Sequence, residues 1–115
     1  MNRRHRLPGR RRIAAVRESG SEARSGAVRV RAIAGETGVS RVAFAVPAAG
    51  SAVRRNRARR RLRAAIAPLL AGRPALDLLV SLPASATEMP FSKLSAALAT
   101  ALDTVALAVR AQALG

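Results

Sequence analysis

Apolar residues recur along this chain with two different periods, and the switches between them outline its elements. Val28, Val30 and Ala32 alternate with Arg29, Arg31 and Ile33, a period of two that predicts a strand. Residues 35–38 (Gly-Glu-Thr-Gly) predict a turn. A second strand is expected over 39–46, with Val42, Phe44 and Val46 on one face and Pro47 ending it. The link is short, so an antiparallel hairpin is expected between these two strands. Residues 77–82 are almost continuously apolar and predict a buried strand closed by Pro83. The other stretches follow helical spacing. Residues 92–113 carry Leu94, Leu98, Ala101, Leu102, Val105 and Val109 in one stripe suited to core packing. A helix from an N-cap at Ser51 to about residue 67, stopped by Pro68, has the stripe Ala58, Leu62, Ala65, Ile66 and Leu69. A short helix over 10–18 turns Ile13 and Val16 inward. Residues 19–26 are a loop by composition, and 70–74 another.

The order helix, strands, helix, strand, helix predicts an α+β sandwich with helices packed on one sheet. At 115 residues the chain is a single domain spanning 1–115, and residues 1–11, basic and interrupted by Pro8-Gly9, are expected to be a flexible arm.

Charge changes the picture. Twenty-one basic residues stand against six acidic ones, for a net charge of +15. Such a domain repels itself unless it meets a polyanion. The cations are densest at 54–63, where only Ala58 and Leu62 are neither Arg nor Asn. At 100° per residue Asn56, Arg57, Arg60 and Arg63 fall opposite the apolar stripe, and Arg54, Arg59 and Arg61 flank them. Arg55 lies closer to the apolar side, near the helix start. Arginine suits anions with several acceptors, which an RNA backbone supplies in series.

Other chemistry is sparse. There is no cysteine, and the lone histidine, His5, is expected to be a solvated residue without partners for a metal site or a triad. The acids Glu18, Glu22, Glu36, Asp77, Glu88 and Asp103 are scattered, and no glycine-rich phosphate loop is present. No catalytic residue, metal site or small-molecule ligand is expected. Phe44 and Phe91 are the only aromatics, which argues against binding by base stacking. No apolar stretch is expected to reach the roughly 20 residues needed to span a bilayer, so no membrane partner and a cytoplasmic location are expected.

The arginine stretch also carries a resemblance. Gly50, Ala52, Val53, Arg55, Asn56, Arg57, Arg59, Arg60 and Arg63 match G-x-A-V-x-R-N-R-x-[KR]-R-x-x-R. This resembles the signature of the protein subunit of bacterial ribonuclease P. The resemblance implies a further short strand within 20–26 and a left-handed strand–helix–strand crossover. It implies a non-catalytic subunit of a tRNA-processing endoribonuclease, whose RNA carries the active site and its magnesium. The protein would bind that RNA and the 5′ leader of precursor tRNA, with no cofactor of its own. Arg55, Asn56, Arg57, Arg59, Arg60 and Arg63, with Arg61 beside them, would contact the catalytic RNA. The leader would lie between the first helix and the sheet, here lined by Ile13, Arg17, Arg29 and Arg31. Many family members have aromatics at the positions of Ile13 and near Arg31, and Ser-Lys-Lys where this chain has Pro47-Ala48-Ala49. A ribosomal or other structural RNA-binding protein of similar fold is the alternative, but it would not require Arg-Asn-Arg after Gly50. A DNA-compacting protein fits less well, since those present lysine tails or dimerising helix pairs.

Overall fold

The computed structural model describes residues 3–47 and 51–114. Three helices, α1 (Arg10–Ser19), α2 (Ala52–Ile66) and α3 (Phe91–Leu114), surround a sheet of β1 (Ser21–Ser25), β2 (Val28–Ala34), β3 (Arg41–Ala45) and β4 (Leu76–Ser81). The α+β class and single sheet agree with the sequence reading.

The strand order is β1-β2-β4-β3, with β1–β2 and β2–β4 antiparallel and β4–β3 parallel. The hairpin expected between β2 and β3 is therefore not formed, because β4 lies between them. Five consecutive residues of β4 are buried, so it takes a central place with cover on both faces. β3 is mostly half-buried and takes the edge. Its parallel pairing with β4 needs a crossover, which α2 supplies.

The hairpin present is β1–β2, turned at Gly26 in the left-handed region (φ 58°). Residues 21–25 are thus a strand, not loop; the resemblance placed a strand there and composition did not. An edge strand tolerates their polarity, with only Ala23 buried.

One sheet face holds the main core. Val28, Val30, Ala32, Val42, Leu78 and Val80 meet Ala58, Leu62, Ala65 and Ile66 of α2 and the α3 stripe. All six α3 positions expected to face inward are buried. α3 is, however, long and apolar enough by length and composition to cross a membrane. The expectation of no such stretch was too strict: the alanines and leucines that fill the core also raise the average. The register of α2 follows the sequence reading, and Ser51 caps it by accepting from the Arg54 N–H at 3.2 Å.

The other face is covered at one end by α1. A small apolar cluster of Leu7, Val16 and Leu79 sits there, with Ile13, Ile33, Ala43 and Ala45 against it. The expected free arm is packed over its described part. Arg6 bridges Val42, the Leu7 N–H donates to the Val42 carbonyl at 3.1 Å, and Leu7 is buried. The unpaired side of β3 provides those partners. His5, expected to be solvated, is half-buried with Nδ1 3.0 Å from the Ser40 carbonyl oxygen. Residues 1–2 of the arm, and Ala48, Ala49 and Gly50 before the arginine stretch, lie outside the described residues.

Candidate nucleic-acid interface

α2 presents its cations as the apolar stripe dictates. With Ala58, Leu62, Ala65 and Ile66 turned into the core, Asn56, Arg57 and Arg60 are exposed, and Arg59 and Arg63 are half-buried on the flanks. Arg57, Arg59, Arg60 and Arg63 have no acidic partner among the described residues; the acid that approaches the helix is Glu88, 3.9 Å from Arg54. The Arg63 guanidinium lies 5.9 Å from the Phe44 ring centroid, within cation–π range. Val53, in the first turn, is 73 % exposed. Arg55 is half-buried, and its Nε is enclosed with no hydrogen-bond partner, in keeping with its place near the apolar side.

Arg61 differs from its neighbours. Its guanidinium donates to the Thr87 carbonyl at 2.9 Å and to the Met89 carbonyl, tying α2 to the segment before α3. The expectation that placed it with the RNA-facing residues missed this inward use. Periodicity locates a side chain on a helix, but not the carbonyls of a distant loop.

A second basic site lies on the α1 side of the sheet. Arg17, Arg29, Arg31, Leu79 and Ser81 line a hollow of about 270 Å³. Three of the four expected leader residues converge there. Ile13 does not line it; it packs beneath α1 in the small cluster. Arg29 and Ser81 also border a larger hollow of about 590 Å³, which reaches Phe44 and Arg59. The two cationic regions therefore join around the end of the sheet.

Glu22 was not foreseen as part of this site. The β1–β2 register sets it opposite Arg31 and sets Arg24 opposite Arg29. Its Oε1 lies 2.9 Å from Arg29 Nε, 3.7 Å from Arg31 Nε and 3.9 Å from Arg24 Nε. One carboxylate thus offsets part of the cleft's charge. Glu22 and Arg24 alternating before Gly26, mirrored by Arg29 and Arg31 after it, was the available signal.

A family model described as Ribonuclease P matches residues 1–106. The chain belongs to the bacterial ribonuclease P protein family. The fold agrees with solved structures. A Staphylococcus aureus RNase P protein mutant with defective mRNA degradation activity aligns at TM-score 0.78 and 18 % identity, over 88 % of this chain and 87 % of that one. Another S. aureus RNase P protein structure aligns at 0.77 and 20 %, over 87 % and 94 %. RNase P protein from Thermotoga maritima, in complex with 1-(4-fluorophenyl)-2-thiourea, aligns at 0.73 and 21 %, over 88 % and 97 %. No curated protein matches in sequence. Membership makes this chain a protein component of ribonuclease P, the tRNA-processing ribonucleoprotein.

In this family member, α1 is fixed to the sheet by a buried charge network. The Asp77 side chain on β4 is fully enclosed and accepts from two arginines. Arg12 of α1 donates from Nε at 2.9 Å and Nη2 at 2.6 Å; Arg41 of β3 donates from Nε at 3.0 Å and Nη2 at 2.9 Å. Glu36 joins at 3.0 Å from Arg41 and 3.4 Å from Arg12. Burial pushes the Asp77 carboxyl up, but the hydrogen bonds and charges of Arg41 and Arg12 outweigh it and hold the group below its ordinary value. The Asp77 hydrogen bond pushes the Arg41 guanidinium up against the effect of burial, with Glu36 adding to it. The acids are thus less scattered than their sequence positions suggest. Among the described residues no three His, Cys, Asp or Glu side chains converge as a metal site.

Proposed function

We propose that this chain binds the catalytic RNA of ribonuclease P through the outer face of α2 and holds the 5′ leader of precursor tRNA in the cleft between α1 and the sheet. The observation that carries this reading is the row Arg57, Arg59, Arg60 and Arg63, cations without acidic partners among the described residues, on a helix whose opposite stripe is locked in the core. Their unsatisfied donors suit phosphate oxygens. Arg17, Arg29 and Arg31 offer a second set, next to Ser81, to a single strand passing over the sheet.

In this mechanism the chain's residues position RNA and exchange no proton with it. The acids beside the basic sites, Glu22 and Glu88, face arginines, and His5 lies at the far end of β3 against Ser40, so among the described residues no histidine stands beside a carboxylate at either basic site. Magnesium, held by the RNA, would supply the activated water and stabilise the leaving oxygen; among the described residues this chain offers no donor set that fits that ion. The protein's part is to concentrate positive charge where two RNA strands meet and to fix the leader's path. It would do so in the cytoplasm, bound to the catalytic RNA and precursor tRNA.

Reconstitution tests the reading. With the same organism's catalytic RNA, the protein should lower the magnesium needed for 5′ cleavage of precursor tRNA. RNA-free protein should leave the substrate intact. Cleavage by the protein alone, or no effect on the magnesium requirement, would overturn it.

A further inference from the structure

We propose that Asp77 is a positioning residue for leader binding: acting through Arg12, it sets the orientation of α1 over the cleft without touching RNA. The inference rests on the leader reading above.

α1 forms one wall of the cleft and meets the sheet through a small apolar cluster, in which Val16 is its fully buried contribution. Such a contact permits tilting, so the polar ties at the two ends set the angle. At the first turn, Arg12 makes both Asp77 bonds and also donates from Nη2 to the Ala34 carbonyl at 3.2 Å. At the last turn, the Arg17 carbonyl accepts from Arg31 Nη1 at 2.6 Å. A guanidinium held through two nitrogens fixes direction as well as distance. The carboxylate cannot follow a moving helix, because Arg41 holds both of its oxygens from the other side.

The same strand carries anchor and cleft. Asp77, Leu79 and Ser81 alternate on one face of β4. Leu79 and Ser81 line the hollow, while Asp77 holds the helix that roofs it. Arg12 and Arg17 are five positions apart, roughly 7.5 Å along the helix. Freeing Arg12 would let α1 pivot about the Arg31 contact and shift Arg17 relative to Arg29. A displacement of about 1 Å takes a guanidinium–phosphate contact out of the roughly 2.7–3.2 Å range of an N–H···O hydrogen bond.

The test is the affinity ratio of precursor to mature tRNA for the complex reconstituted with catalytic RNA. It compares wild type, Arg12→Gln, Arg12→Lys, Asp77→Asn and Arg29→Ala, with thermal melts of each protein. Arg12→Gln and Asp77→Asn should lower the ratio by about tenfold or more, as expected for one lost charged hydrogen bond, leaving affinity for the catalytic RNA unchanged. Arg12→Lys, which keeps the charge but not the fork, should recover part of it. If Asp77→Asn fails to fold, Arg12→Gln decides alone, since it leaves the Arg41–Asp77 pair in place. A lowered melting temperature with an intact ratio would show that the network serves only folding. If Arg29→Ala lowers the ratio and neither Arg12→Gln nor Asp77→Asn does, this inference alone is overturned. A wild-type ratio near one overturns the leader reading and this inference with it.

Discussion

The two faces of α2 make opposite predictions, which single substitutions can separate. Leu62 is fully buried between the helix and the sheet. Leu62→Ala removes its contacts and leaves a cavity, at about 2–5 kcal/mol. For 115 residues, an unfolding entropy of about 2.1 cal/mol/K per residue gives about 0.24 kcal/mol/K for the domain. A loss of about 3 kcal/mol therefore lowers the melting temperature by about 12 °C. Arg57 and Arg60 are exposed on the other side, where truncation shifts stability by about 0.5 kcal/mol or less, about 2 °C.

Binding to the catalytic RNA should rank the variants the other way. Each lost phosphate contact flattens the slope of log affinity against log salt by roughly 0.7–0.9. Between about 50 and 200 mM salt, one lost contact thus changes the fall in affinity by about threefold. Arg60→Ala should show this, with a melting temperature near that of the wild type. Melts followed by circular dichroism and filter binding over a salt series measure the two quantities. A large thermal loss in Arg60→Ala with little in Leu62→Ala would refute the register. An unchanged salt slope would mean that Arg60 faces something other than backbone phosphate.

Other expectations follow from single contacts. Arg61→Ala should cost about 1–3 kcal/mol in a urea melt, because the carbonyls of Thr87 and Met89 lose their shared donor; a neutral result would return Arg61 to the outward set. Glu22→Gln should strengthen binding of single-stranded RNA and steepen its salt dependence by releasing Arg29 and Arg31; weaker binding would show that Glu22 holds those arginines in the productive pose. Asp77 is held below its ordinary value, so its ionised form adds stability above about pH 4 and loses that contribution as the pH falls through the folded-state value. The stability gap between wild type and Asp77→Asn should therefore be largest at neutral pH and shrink toward pH 3; a gap independent of pH would contradict the network.

The helices were legible because their signal is local. Spacings of three and four located the α3 stripe and the α2 register, and Ser51 marked the start of α2. Strand order is not local. The link between β2 and β3 has a hairpin's length, and nothing within it tells that β4, some thirty residues later, will come between them. The clue lay in β4 itself: a strand apolar on both faces needs a central place. β1 was hidden by its charged composition, which an edge strand accepts. Leu7 was the signal against a free arm, because it is the one aliphatic side chain in a basic stretch and finds a pocket beside Val42.

The site was legible in kind and less so in detail, because counting arginines does not say what each one faces. The acids sort them. Asp77 takes Arg12 and Arg41, Glu22 takes Arg29 and its neighbours, and Asp103 takes Arg73. Backbone carbonyls engage Arg61, and one engages Arg31. Among the described residues, Arg57, Arg59, Arg60 and Arg63 then stand without an acid on one side of α2, where the core stripe prevents the helix from rolling away and Glu88 reaches only Arg54; a second unpaired group, Arg4, Arg6, Arg10, Arg11 and Arg17, runs along the N-terminal segment and α1. Clustered cations repel one another, and a polyanion relieves that repulsion while its counterions are released. The cleft differs: Glu22 offsets Arg29 and Arg31, and the end of α1 also holds Arg31, so those two side chains are more constrained in geometry. If α2 binds the catalytic RNA and the cleft the leader, as proposed, α2 would supply affinity and the cleft discrimination. Errors in placing α1 would accordingly appear in the choice between precursor and mature tRNA before they appear in binding of the catalytic RNA.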